Sequence, residues 1–205
     1  MNVNKKYNLS YSAGALLSES FDAVVNASKD FNLLVNGEEK LDYKIIPANA
    51  ESSQKRYLSE IKSRLKNIPV SILNYYQSAD INDKKTIQFY AICRRYQIIV
   101  EFMIEVVREK WLNLDYELDK YDYKLFLSNK LAESDDLDSI TDNTTYKLTQ
   151  VFFKMLIELG IYSNGVYNKI SPNLELLSHV SRNGDDWFLD VMLLTDEEKK
   201  EIKQW

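Results

Sequence analysis

The sequence predicts an all-α fold: a compact multi-helix protein with helix-turn-helix elements and one small, wing-like β-hairpin near residues 161–170. Three observations lead there. Apolar residues recur at three- and four-residue spacing along most of the chain. Only 5 Gly and 3 Pro interrupt 205 residues, which leaves little for long loops. One strong hairpin signal stands out: Ile161-Tyr162 and Val166-Tyr167 flank Ser163-Asn164-Gly165. Two helical lobes are expected, residues 1–118 with a long central helix and residues 119–205 with the winged segment.

The elements follow in order. "SYSAGALLSESFDAVVNAS" reads as a helix capped by Ser12, with Leu16, Leu17, Phe21, Val24 and Val25 on its apolar face. "FNLLVNGEEKLDYKIIP" reads as two short helices, with Asn36-Gly37 either a hairpin turn or a helix C-cap. "NAESSQKRYLSEIKSRLKNIP" is an amphipathic helix ending before Pro69, with Leu58, Ile61, Leu65 and Ile68 as its apolar stripe. "VSILNYYQS" is a short helix. A single long helix is expected over residues 82–112, and another in "LDYELDKYDYKLFLSNKLAES" with Tyr121, Leu125, Phe126 and Leu127. A short acidic helical turn and a break near Thr141-Asp142-Asn143 come next. A helix then runs from about Thr144 to Leu159, capped by Gly160. The tail from Pro172 reads as helices with acidic starts, Asp185-Asp186 and Asp196-Glu197-Glu198, which complement helix dipoles.

The most apolar stretch, "FYAICRRYQIIVEFMIEVVREKWL", raises a membrane question. A spanning helix needs about 20 mostly apolar residues. Here Arg94, Gln97, Glu101, Glu105 and Arg108 form one polar stripe at helical spacing. An arginine at a bilayer centre costs roughly 2.5–3.5 kcal/mol. The pattern is a helix buried on most sides with one wet edge, so no membrane span is expected. The N-terminus carries no apolar signal core, and a lone Cys93 favours a reducing compartment. A cytoplasmic, monomeric protein is expected.

Enzyme chemistry finds little footing. Cys93 lacks a base or Gly-rich loop to activate it, so a buried small hydrophobe is its expected role. His179 is the only histidine, which leaves a histidine-based metal site or a Ser-His-Asp triad unsupported. The acids Glu133, Asp135, Asp136, Asp138 and Asp142 lack the Gly and Glu of a calcium loop and suit helix capping instead. No phosphate-binding glycine motif is present. No catalytic residue, cofactor or metal is expected.

Binding chemistry is more legible. The net charge is −5, so any attraction to nucleic acid must come from a local patch. Residues 54–66 hold five bases, Lys55, Arg56, Lys62, Arg64 and Lys66, against one acid, Glu60. A solvated helix face is the bland alternative. The order helix, short helix, helix, hairpin near the C-terminal half is that of a winged helix-turn-helix. Its recognition helix would begin near Thr144 and expose Thr145, Lys147, Gln150 and Lys154.

Several blocks resemble the BrxA family, small core proteins of BREX phage-defence systems that often carry an inner-membrane label. These are "YSAGALLSES", "SQKRYLSEIKSRLKN", "AICRRYQIIVEFMIEVVREKWLNLDYELDKYDYKLF", "TDNTTYKLTQVFFKMLIELGI" and "ISPNLELL". The resemblance implies an all-α protein with helix-turn-helix elements that binds double-stranded DNA. It also implies partners in a complex with a DNA methyltransferase, a large ATPase and a phosphatase-like protein. The polar stripe argues against the membrane label. Two functions stay open: a non-enzymatic DNA-binding component, or an adaptor that assembles the complex with little DNA binding of its own.

Overall fold

In the computed structural model, which describes residues 7–133 and 140–205, the first helix begins later than its sequence suggests. Helix α1 spans Ser18–Ala27, not a run capped by Ser12. Ser10–Ala13 form a 3₁₀ turn instead, and Gly14 is extended. The carbonyls of residues 14–16 point at Arg64 rather than along a helix axis. A Cβ on Gly14 would meet the Leu17 side chain at 2.6 Å, so any larger residue there would have to displace Leu17. Helix α2 (Phe31–Asn36) ends at Gly37 in the left-handed region. Gly37 N–H donates to Leu34 O and Glu38 N–H to Leu33 O, a Schellman closure that settles Asn36-Gly37 as a C-cap. The second expected short helix is a 3₁₀ turn, Tyr43–Ile45. Helices α3 (Glu51–Leu65) and α4 (Val70–Ser78) follow as expected, and Leu58, Ile61, Leu65 and Ile68 are buried.

The single long helix over residues 82–112 is a correction. Helix α5 (Ile81–Arg95) stops at Tyr96, whose φ of −124° and ψ of 86° break the spiral. Helix α6 (Gln97–Phe102) resumes, a π-helical stretch covers Met103–Arg108, and α7 (Glu109–Leu112) closes the run. No Pro or Gly marks the break, because its cause is tertiary. Tyr96 turns inward to full burial, and its hydroxyl donates to Glu60 Oε1 at 2.7 Å. Of the expected wet stripe, Arg94, Gln97 and Glu105 are exposed and Arg108 is half-buried, but Glu101 is buried and accepts from the Tyr7 hydroxyl at 2.7 Å. Arg94 pairs with Asp185, Glu105 with Lys130 and Arg108 with Asp190. Among the described residues no helix is long and apolar enough to cross a membrane.

Helix α8 (Lys120–Ala132) begins with a capping box between Asp119 and Asp122, so residues 113–118 lie outside it. Helix α9 spans Asp142–Leu159, with Thr141 as N-cap and Gly160 as a left-handed C-cap. The expected acidic turn, with Asp135, Asp136 and Asp138, lies outside the described residues. Strands β1 (Tyr162–Ser163) and β2 (Val166–Tyr167) form the expected hairpin, pairing Tyr162 with Tyr167 and Ser163 with Val166. Asn164 and Gly165 both hold positive φ, 51° and 83°, as a type I′ turn requires. Glu117 adds a third edge by bridging to Val166, with Leu118 N–H on Gly165 O and Tyr167 N–H on Tyr116 O.

The tail folds as helices α10 (Leu174–Arg182), α11 (Trp187–Val191) and α12 (Asp196–Gln204), the last opened by a Thr195–Glu198 capping box. Aromatic rings from both sides of residue 118 share the core. Phe102 of α6 meets Tyr123 and Phe126 of α8 and Phe152 of α9, while Tyr123 stacks on Phe152 at 4.4 Å.

Candidate nucleic-acid interface

Helix α9 is amphipathic, which fixes what it buries and what it shows. Leu148, Phe152, Phe153, Met155, Leu156 and Leu159 face the core. Tyr146, Lys147, Gln150, Lys154 and Ile157 are exposed. Thr145 is half-buried, and its carbonyl accepts a bond from Thr149 Oγ1 at 2.7 Å. Gln150 Nε2 donates to the Tyr146 hydroxyl at 2.9 Å, and Lys124 Nζ lies 5.7 Å from the Tyr146 ring centroid. Tyr146 thus links α8 to the exposed face of α9. Its four-residue spacing from Gln150 is the signal in the sequence that points to this contact. Lys154 Nζ lies 3.6 Å from Glu158 Oε1.

Helix α3 is less available than its composition suggests. Arg64 is buried, so it is withdrawn from the candidate contacts. It donates to Glu60 Oε1 at 2.7 Å, to Ala15 O at 2.6 Å, to Leu16 O at 3.2 Å and to Gly14 O at 2.8 Å. An arginine on the apolar edge of an amphipathic helix reads as surface charge until its buried acceptors are known. Lys62 is half-buried and donates to Glu39 O at 2.6 Å. Lys55 pairs with Glu51 at 2.5 Å and lies over the Tyr43 ring. Its hydrogen bond to Glu51 holds that ammonium above its ordinary range. Arg56 and Lys66 are exposed, as is Lys147 on α9, with no ion pair among the described residues. Arg56 does lie over its neighbour's ring, Tyr57, at 5.2 Å.

One segment ties the two helices together. Residues 14–16 give their carbonyls to Arg64 of α3, and Leu16 N–H donates to Glu158 Oε2 of α9 at 2.8 Å. Helices α3 and α9 are therefore joined through a short loop.

Cys93 sits in the core, where burial pushes its thiol well above the usual range. His179 is half-buried beside the Tyr75 ring, 5.7 Å between centroids. Among the described residues no group of three or more His, Cys, Asp or Glu is placed to hold a metal ion.

The model of the BrxA family matches residues 5–182. The chain belongs to the BrxA family. Membership places it among the components of BREX phage-defence systems. It is similar to a curated protein of Bacillus cereus (strain H3081.97), "BREX protein BrxA", with 29% identity over 170 residues, 81% of this chain and 85% of that one. It also resembles the crystal structure of an uncharacterized protein from Magnetospirillum magneticum. The TM-score is 0.73 at 17% identity, over 92% of this chain and 98% of that one. That likeness supports the helical fold and nothing finer.

Proposed function

We propose that this BREX component contacts duplex DNA without catalysing a reaction on it, through the exposed face of α9 and the free cations of α3. One observation carries the reading. An isolated bridge residue, Glu117, pairs with Val166 of β2; helices α8 and α9 follow; the β1–β2 hairpin closes the unit. Extended segment, helix, helix, hairpin resembles the order around the recognition helix of a winged helix-turn-helix. Lys147, Gln150 and Lys154 on that helix have the chemistry to meet phosphates and base edges. Arg56 and Lys66 would add phosphate contacts, with Lys55 and Lys62 reduced by the bonds they already make.

A second reading, an assembly adaptor, is favoured by the net charge of −5 and by that engagement of Lys55 and Lys62 within the chain. A gel-shift series on one duplex at several salt concentrations separates the two. The DNA reading expects affinity to fall as salt rises, by roughly 0.9 in the log–log slope per phosphate contact. No salt-sensitive shift at any concentration hands the function to the adaptor.

A further inference from the structure

Gln150 is an uncharged residue midway along the exposed face of α9. Lys147 precedes it by three residues and Lys154 follows it by four, so all three share one side of the helix, and all three are exposed. A neutral amide with a cation on either side suits a base reader set between two phosphate contacts.

The amide is also fastened. Its Nε2 donates to the Tyr146 hydroxyl at 2.9 Å, one turn toward the start of α9. The Tyr146 ring is held in turn from α8, where Lys124 Nζ lies 5.7 Å from its centroid. An exposed glutamine ordinarily has rotamer freedom to lose on binding. Here side chains from two helices restrict the amide before any ligand arrives.

The direction of the bond decides what the amide shows. Glutamine carries two N–H hydrogens and one carbonyl oxygen. The phenol accepts, so one hydrogen is used, while the other and Oε1 stay open. Had the phenol donated to Oε1, the amide would offer donors, which suit the N7 and O6 acceptors of guanine. A donor beside an acceptor suits adenine, the base whose major-groove edge presents both an acceptor, N7, and a donor, the N6 amine.

We propose that Gln150 reads an adenine through N7 and N6 in the major groove of duplex DNA, with Tyr146 as the positioning residue for its amide. This rests on the DNA reading above and narrows it from a helix face to one base.

The test selects duplexes from a randomised pool with the purified full chain, then measures affinity for the preferred duplex and for one with 7-deazaadenine at the preferred adenine. That analogue replaces N7 by a C–H and still pairs with thymine. Wild type is expected to enrich an A·T pair at one position and to bind the analogue about two- to tenfold more weakly, the loss of one hydrogen bond. Gln150→Ala should bind adenine and analogue alike, with its melting temperature and its phosphate-set salt slope unchanged. Tyr146→Phe keeps the ring beside Lys124 but removes the acceptor, and should lose part of the preference for adenine over the analogue. A pool with no enriched adenine overturns the proposal, as does enrichment of guanine at the position that Gln150→Ala relaxes. So does a preference for adenine over the analogue that survives in Gln150→Ala, or one that is undiminished in Tyr146→Phe. In each of those cases salt-sensitive duplex binding leaves the DNA reading standing. Absence of any such binding by wild type overturns both.

Discussion

Arg64 Nη1 donates to the carbonyl oxygen of Ala15 at 2.6 Å, across a separation of 49 residues. The same guanidinium serves Leu16 O, Gly14 O and Glu60 Oε1, and Tyr96 shares that carboxylate through its hydroxyl. A buried cation is tolerated only when its donors are met. Here the acceptors come from a loop that has given up helical structure to supply them. The break in the α5–α6 run and the late start of α1 are two consequences of this one hub.

Arg64→Ala should therefore be severe. It strands Glu60 and three carbonyls in the interior, and breaking a buried ion pair from one side costs about 3–5 kcal/mol. Chemical denaturation would read this as a lower midpoint. Arg64→Lys keeps the charge but not the planar fork, and should fall between. An Arg64→Ala variant as stable as wild type would remove the hub from the account.

The hub also shows what the sequence could and could not disclose. Repetition of apolar spacing made α3, α4 and α9 legible, because local amphipathicity and burial agree there. Asn164-Gly165 made the hairpin legible because the turn needs positive φ at both positions. The break at Tyr96 was not legible, since a buried hydroxyl partner on another helix caused it. Arg64 and Lys147 look alike in sequence. Only the acceptors around Arg64, which lie far off in the chain, separate a structural cation from an exposed one.

Buried tyrosines predict the alkaline limit of the fold. Burial raises the phenols of Tyr11, Tyr76, Tyr90 and Tyr123 above their ordinary range. The folded state thus keeps protons that the unfolded chain releases near pH 10. The unfolded state then binds fewer protons, so stability falls as pH rises past that value. Each such group contributes up to about 1.4 kcal/mol per pH unit. Cys93 acts in the same direction, starting near pH 8.5. Urea midpoints should be flat across neutral pH and drop steeply above pH 10. A midpoint that rises there contradicts the burial of these groups.

Cys93 itself should be dispensable for function. Cys93→Ala should cost on the order of 1 kcal/mol of stability and leave phage defence intact at permissive temperature. Loss of defence with unchanged melting would point to thiol chemistry that the buried, proton-holding side chain does not suggest.

The DNA reading ranks its own contacts. Lys147→Glu, and Arg56→Glu with Lys66→Glu, reverse exposed cations and should weaken binding to every duplex and flatten the salt slope. Lys55→Glu and Lys62→Glu should do less, because those ammonium groups already bind Glu51 and the Glu39 carbonyl. Gln150→Ala should change preference between sequences if α9 reads bases, where a good contact is worth about 1–3 kcal/mol. Equal effects at all positions would mean that the mutations act through net charge alone.

The last prediction separates the two jobs of Glu158. Its Oε2 accepts the Leu16 N–H at 2.8 Å and its Oε1 lies 3.6 Å from Lys154 Nζ. Glu158→Gln leaves an oxygen for Leu16 and removes the charge facing Lys154. The ion pair is partly exposed, so its loss should change stability by less than about 1 kcal/mol. DNA affinity should rise a few-fold, because Lys154 no longer shares its charge with a carboxylate. The salt slope should steepen by up to about 0.9 if Lys154 gains a phosphate. Glu158→Ala also removes the acceptor for Leu16. An orphaned amide in that half-buried position costs about 1–3 kcal/mol, and the loop between α3 and α9 loosens. Its signature is faster hydrogen exchange at Leu16, absent in Glu158→Gln. If Glu158→Gln instead weakens DNA binding while Leu16 stays protected, the exposed face of α9 is not where DNA lies.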